Sequence, residues 1–241
     1  MSPLRIAFDL DGVLADMESE LVRQAEALFG ETITRRLQET TDKPSENAVE
    51  KAPDNVPPLF KLNLSQREQR KLWRHIESIE NFWESLAEIE QGSVARLASI
   101  ATRTPWEVIF LTKRPGSAGA TAQVQSQRWL ESKGFKLPSV YVVQRSRGRI
   151  ADALGLDFVV DDRPENCLDV VVDSKARAIL VWREDEKTLP PATRRLGIGV
   201  VKSVEDCLNI LTQLDAPAEE RPGVLERVLR LLGLKEPAQV S

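Results

Sequence analysis

Short apolar runs recur along the chain at residues 4–8, 108–111, 140–143, 158–160, 178–182 and 198–201. Each is too short for a buried helix and rich in branched or aromatic residues, which marks strands covered on both faces. Between the later runs the apolar positions change to helical spacing. Strand and helix therefore alternate, and the pattern predicts an α/β fold, a doubly wound parallel sheet with helices on both sides. Open sheets of this kind bind ligands beyond the carboxyl ends of their strands. The polar residues that stop the runs become the candidates for chemistry: Asp9, Thr112, the stretch 144–149, and the pair Asp161 and Asp162.

Residues 16–90 follow a different rule. Their apolar spacing is helical, no strand-like run occurs, and a polar stretch containing prolines interrupts them at 40–58. This predicts a small helical cap inserted into the sheet domain and carrying a loop of its own. Within it, Ser65-Gln66-Arg67-Glu68 has the form of a capping box, in which the Ser65 hydroxyl serves one orphan amide of a helix start and Glu68 serves another. Leu72, Trp73, Ile76 and Ile79 supply the buried stripe that follows, and the helix is expected over 66–80. Arg67, Arg70, Lys71 and Arg74 share one face of it and read first as a solvated face, while His75, the single histidine, reads as structural. Near the far end a linker at 216–223 precedes Val224, Leu225, Val228, Leu231 and Leu232, which predict an amphipathic helix over 223–235. The expected organisation is a core of residues 1–15 and 91–215, a cap of 16–90, and a linker with a terminal helix at 216–241.

Composition narrows the classes of function. A chain of 241 residues, 41% hydrophobic, buries one sizeable core and leaves room for an insertion. Its 33 Lys and Arg stand against 37 Asp and Glu, a net charge of −4, and the cations are dispersed. Neither a nucleic-acid polymer nor a membrane surface is expected as a partner. Cys167 and Cys207 have no Cys or His at metal-ligand spacing, so a reducing, cytoplasmic setting is expected. No stretch of about 18 apolar residues and no leader pattern occurs, and the chain is read as soluble and unprocessed. Oligomeric state has no signature in the pattern.

The strand ends supply what phosphate-ester hydrolysis needs: a positioned nucleophile, a proton for the leaving group, and positive charge around the phosphoryl oxygens. An aspartate at the mouth of the first strand, Asp9, can attack phosphorus. Two residues on in an extended segment the side chain returns to the same side, so Asp11 can reach the leaving oxygen as a general acid while Gly12 turns the chain. Carboxylates facing a phosphate require a hard cation between them, and Mg²⁺ fits an oxygen site made by Asp9, the Asp11 carbonyl and Asp162, with Asp161 adjacent. Thr112 would donate to one phosphoryl oxygen and a cation from residues 145–149 would neutralise another. Lys113, Arg149, Phe82 and Trp83 complete the candidates as substrate-binding residues, the aromatic pair as a surface for a base or, equally, as packing where cap meets core.

Strand-Asp9-Leu10-Asp11-Gly12-Val13, strand-Thr112, a basic residue before a helix, and strand-Asp161-Asp162 together resemble the four motifs of the haloacid dehalogenase phosphohydrolase superfamily. The string through Asp16, Asp161-Asp162-Arg163-Pro164 and Phe82-Trp83 are similar to its 5'(3')-deoxyribonucleotidase branch. The resemblance implies a Rossmann-like core with a cap, Asp9 as nucleophile, Asp11 as acid and base, Asp162 as metal ligand, and a Mg²⁺-dependent phosphomonoesterase that acts through an aspartyl phosphate on a phosphorylated small molecule, a nucleoside monophosphate by the narrower likeness. Where that superfamily usually has lysine, this chain offers Arg147 or Arg149, with Arg147 the first choice.

Other readings fit less well. A calcium loop starting at Asp9 would place Val13 and Leu14 at its fifth and sixth positions, and a strand precedes it instead of a helix. A phosphate-loop ATPase lacks its glycine-rich lysine motif, and a signalling receiver domain would carry its acidic pair after the first strand. The remaining alternative is a catalytically weak or inactive relative that binds a phosphorylated ligand or partner.

Overall fold

The computed structural model describes residues 3–30 and 64–215, and the elements below are numbered within them. The expected loop at 40–58 and the expected terminal helix at 223–235 lie outside the described residues. The chain runs β1 (Leu4–Asp9), α1 (Met17–Phe29), α2 (Gln66–Ser78), a 3₁₀ turn (Phe82–Glu84), α3 (Ser93–Arg103), β2 (Trp106–Thr112), α4 (Ala122–Ser132) and β3 (Ser139–Val142). It continues with α5 (Arg147–Leu154), β4 (Phe158–Asp161), α6 (Pro164–Asp173), β5 (Arg177–Val181), α7 (Pro191–Arg195), β6 (Gly199–Val201) and α8 (Val204–Asp215). Every apolar run singled out in the sequence is a strand.

The strands form one six-stranded sheet in the order β3-β2-β1-β4-β5-β6, with every pairing parallel. β1 lies in the middle: from it the chain winds outward to β2 and β3, then crosses back to β4 on its other side. The order reverses there, and at such a switch point the crossovers diverge and open a crevice above the strand ends. The twofold alternation of strand side chains divides the core. Ile6, Phe8, Phe110, Val160, Ile179 and Val181 join one apolar cluster, while Ala7, Ile109, Leu111, Val159, Ala178 and Leu180 join a second on the opposite face.

The first cluster also takes in Leu21 and Ala25 of α1 and Leu72, Trp73 and Ile76 of α2. The described part of the expected cap therefore packs into the same core as the sheet. The capping box forms as expected: Ser65 Oγ accepts from Glu68 N at 3.3 Å and Ser65 N donates to Glu68 Oε2 at 2.8 Å. α2 ends two residues before the expected point because the chain is diverted there. Asn81 N donates to Ala118 O at 2.8 Å, and Asn81 adopts a left-handed φ of 51° from which its Oδ1 accepts from Ala120 N. His75 Nε2 and Gln24 Oε1 stand 3.0 Å apart, tying α2 to α1 in a structural role. Arg67, Arg70, Lys71 and Arg74 are exposed, as a solvated face should be. Among the described residues no helix is long and apolar enough to cross a membrane.

One close approach sets the position of α5. A Cβ on Gly148 would overlap the Asp169 carbonyl of α6, so only glycine lets these two helices meet as they do. Gly148→Ala is expected to cost about 1–3 kcal/mol, the usual penalty for overpacking, as a lowered midpoint in urea denaturation with an unchanged slope. Cys167 and Cys207 are both fully buried, and burial pushes each thiol above its ordinary range. Both should stay protonated and resist a thiol reagent at pH 8 in the folded protein, and both should react after denaturation; colorimetric thiol titration measures this.

Candidate active site

The carboxyl ends of three adjacent strands bring the sequence candidates together. β1 ends at Asp9, paired in register with Leu111 one residue before Thr112, and β4 ends at Asp161 beside it. The following loop doubles back at once: Leu10 O accepts from both Leu14 N and Ala15 N, and Gly12 N donates to Ala15 O. Gly12 has φ +83°, and a Cβ there would overlap the Asp162 carboxylate, so the loop lies flat against β4 only with glycine at its apex. Asp16 closes the loop by capping α1, its Oδ1 accepting from Ser19 N at 3.0 Å.

Asp9, Asp161 and Asp162 each place a carboxylate oxygen within 4.8 Å of the others. Asp161 is committed within the protein: Oδ1 accepts from Arg163 N and Asn166 Nδ2, and Oδ2 also lies 3.0 Å from Asn166 Nδ2. Asp162 Oδ1 is buried without a hydrogen-bond partner. Burial pushes the Asp9 and Asp161 carboxyls up, and Arg147 opposes it in both; at Asp9 the neighbouring acids add to the rise. Asp162 is pushed up to about 7 by burial and by Asp161. Crowded, partly orphaned carboxylates of this kind are the donor set a hard divalent cation completes, so the residues fit Mg²⁺.

Arg147 is the first residue of α5, whose N-cap Ser146 accepts from Arg149 N. From there its buried side chain reaches Asp9, Nη2 donating to Oδ1 at 2.8 Å, and its Nε stands 3.6 Å from Asp161 Oδ2. Its Nη1 is buried and has no partner. Arg149 points elsewhere: it is 79% exposed and stands 3.9 Å from Asp173, so of the two arginines it is Arg147 that reaches Asp9. A cleft of about 1000 Å³ opens over these groups, lined among others by Asp9, Asp11, Lys113, Arg147, Asp162 and Trp182.

Asp11 is held more tightly than the sequence implies. Arg114 Nε stands 2.9 Å from its Oδ2 and Nη2 stands 2.6 Å from its Oδ1. Thr112, expected to face a phosphoryl oxygen, here donates to Asp11 Oδ2 at 3.1 Å. Arg114 was not among the candidates, although its place two residues after Thr112 carries a signal, since alternate residues of an extended segment share a side. Arg183 was also missed. Its Nη1 donates to Gly12 O and its Nη2 to Val13 O and Glu90 Oε1, so it braces the loop after β1 from outside.

Phe82 and Trp83, expected to offer a surface to a base, lie in the core at 1% and 0% exposure and do not line the cleft. The rings meet edge to face at 4.9 Å, Trp83 Nε1 donates to Pro115 O, and the Trp83 ring lies under the Arg114 guanidinium. The diverted chain after α2 turns the pair inward, so both rings pack and support.

A family model described as 5' nucleotidase, deoxy (pyrimidine), cytosolic type C matches residues 2–188. No functionally curated protein matches the chain. Among solved structures, a haloacid dehalogenase family hydrolase from Deinococcus radiodurans R1 with bound phosphate and sodium is 17% identical, with a TM-score of 0.50 over 90% of this chain and 100% of that one. A hydrolase from Pseudomonas syringae is 14% identical, with a TM-score of 0.50 over 88% and 100% of the two chains. A dehalogenase is 15% identical, with a TM-score of 0.52 over 87% and 97%. At these identities the neighbours speak for the fold, which is the Rossmann-like α/β fold of haloacid dehalogenase enzymes. The family match spans most of the chain and both acidic motifs, so this protein belongs to the cytosolic type C 5'-nucleotidase family and is a phosphatase of the haloacid dehalogenase type.

Proposed function

We propose that the chain is a Mg²⁺-dependent phosphomonoesterase that acts through an aspartyl phosphate on Asp9, with a nucleoside monophosphate as its substrate. The observation that carries this reading is the state of Asp9: a carboxylate at the end of the central strand, steered by Arg147 through one oxygen, with Asp162 and Asp161 beside it and a cleft above. Asp9 and Asp162, backed by Asp161, would hold the ion. Bound there, Mg²⁺ supplies the charge that lets an anionic ester approach a cluster of acids.

The chain's own groups account for both halves of the reaction. Arg147 keeps Asp9 Oδ1 in place, leaving the other oxygen to attack phosphorus; the bond to the ester oxygen breaks as Asp11 gives that oxygen its proton. Asp11, now a carboxylate, takes a proton from water, and the resulting hydroxide attacks the phosphorus of the aspartyl phosphate. The acyl–oxygen–phosphorus linkage breaks at phosphorus, inorganic phosphate leaves, and Asp9 and Asp11 are restored. Arg147 Nη1, buried and unpaired, offers one phosphoryl oxygen a donor that a lysine committed to Asp9 would offer in a different geometry. The nucleotide assignment rests on the family match, and a cleft of about 1000 Å³ accommodates a nucleoside monophosphate.

With Mg²⁺ present, the wild-type chain should release phosphate from nucleoside monophosphates in preference to sugar phosphates, and Asp9→Asn should lower kcat by about 10³-fold or more. Equal phosphate release by wild type and variant in a colorimetric assay would sink the enzymatic reading; equal rates on nucleotides and sugar phosphates would sink the substrate assignment. A readout independent of turnover is the melting temperature. Mg²⁺ should raise it in the wild type, and Asp162→Asn should remove most of that rise; a variant stabilised to the same extent would place the ion elsewhere.

A further inference from the structure

A fully buried arginine requires a reason, because taking a guanidinium out of water costs several kcal/mol unless nearly all its donors are engaged. Arg114 is 1% exposed and does not line the cleft. Nearly all of its contacts converge on one carboxylate. Nε stands 2.9 Å and 3.2 Å from the two Asp11 oxygens and Nη2 stands 2.6 Å from Oδ1, a forked grip that fixes the plane of the carboxylate as well as its place. The Thr112 hydroxyl alone would leave that plane free to turn.

The grip is itself supported from behind. Arg114 Nη1 donates to Ser126 Oγ at 2.9 Å on α4, and the guanidinium lies 4.9 Å from the Trp83 ring centroid. Trp83 is pinned in turn, its Nε1 donating to Pro115 O at 2.9 Å and its backbone N donating to Gln125 Oε1 at 3.0 Å. A ring face against a desolvated cation is an attractive contact, and it also sets the plane in which the fork lies. A chain of contacts therefore runs from the segment after α2, through Trp83 and Arg114, to Asp11.

We propose that Arg114 is a positioning residue for the chemical step: buried against Trp83 and Ser126, it holds the Asp11 carboxyl in the one orientation from which it can hand its proton to the departing ester oxygen. Arg114 touches no substrate and acts only through Asp11. The proposal rests on the reading of Asp11 as leaving-group acid, and the experiment separates the two.

The test is the dependence of kcat/KM on leaving-group basicity across 4-nitrophenyl phosphate, phenyl phosphate and an alkyl phosphate, with Mg²⁺ present. A well-activated ester leaves with little help, whereas a poor one needs the proton. Asp11→Asn should lose progressively more along the series, and Arg114→Lys, which keeps the charge but not the fork, should do the same. The Arg114→Lys loss should be about tenfold greater on phenyl than on 4-nitrophenyl phosphate. The double variant should fall within about twofold of Asp11→Asn alone, because two changes acting through one group are not additive. Ser126→Ala, which removes one support and leaves the burial intact, should show the same trend to a smaller degree, and it serves if Arg114→Lys does not fold.

Losses by one common factor across the esters in Arg114→Lys, or a Ser126→Ala series parallel to wild type, would overturn the proposal and leave Arg114 a residue of stability alone. If Asp11→Asn itself runs parallel to wild type, the acid assignment fails first, and the positioning role fails with it.

Discussion

Three carboxylates forced together at a buried sheet edge are the constraint that organises this molecule. Asp9, Asp161 and Asp162 bring oxygens within 4.8 Å of one another where water can do little to separate their charges. The protein's answer is uneven, and Asp161 has most of it, accepting from Arg163 N and Asn166 Nδ2 as well. Arg147 enters from the first turn of α5 to meet Asp9 and Asp161, and it reaches them because Gly148 lets that helix lie against α6 without a side chain between. Asp162 Oδ1 is left unanswered. A set compensated from within on one flank and open on the other is suited to an external cation, which a fully neutralised cluster would exclude.

Asp9 and Asp11 lie two residues apart, yet the fold gives them different partners. Asp9 meets Arg147, whose guanidinium is divided between two acids and keeps one nitrogen unpaired. Asp11 meets Arg114, whose fork is closed upon it. The divided cation leaves capacity for a phosphoryl oxygen; the closed one does not. The end of β1 and the loop that follows it put both acids at the cleft, and the chain's return through β2 and α5 brings each its own arginine. The different surroundings of these near neighbours thus come from residues more than a hundred positions away.

That division also explains what the sequence made legible. The strands could be read because burial on both faces requires continuous apolar runs, and the capping box because its partners are three residues apart. Asp9, Asp11, Asp161 and Asp162 could be read because they stop those runs, and strand ends meet at one edge of a parallel sheet. Arg147 could be preferred to Arg149 only weakly, since both flank a helix start; the structure turns one inward and the other to solvent. Phe82 and Trp83 carried no periodicity to say which way they face, and the diversion at Asn81 that turns them inward depends on residues 118–120, far along the chain. Arg114 was hidden for the same reason, since its partners come from three separate segments.

The loop after β1 shows how such long-range contacts fix a backbone. Its backbone turns within a few residues and leaves the Gly12 and Val13 carbonyls facing outward, where unmet acceptors would favour other conformations. Arg183, after β5, donates to both, and Glu90, at the return from the cap segment, holds Arg183 while accepting from Val204 N and Glu205 N at the start of α8. On its other side the loop lies against Asp162 through Gly12. Packed on one flank and hydrogen-bonded on the other, Asp9 and Asp11 sit on a backbone with few alternatives, which is what in-line attack and directed proton transfer both require. The brace also passes through Glu90, so the segment before α3 takes part in shaping the site.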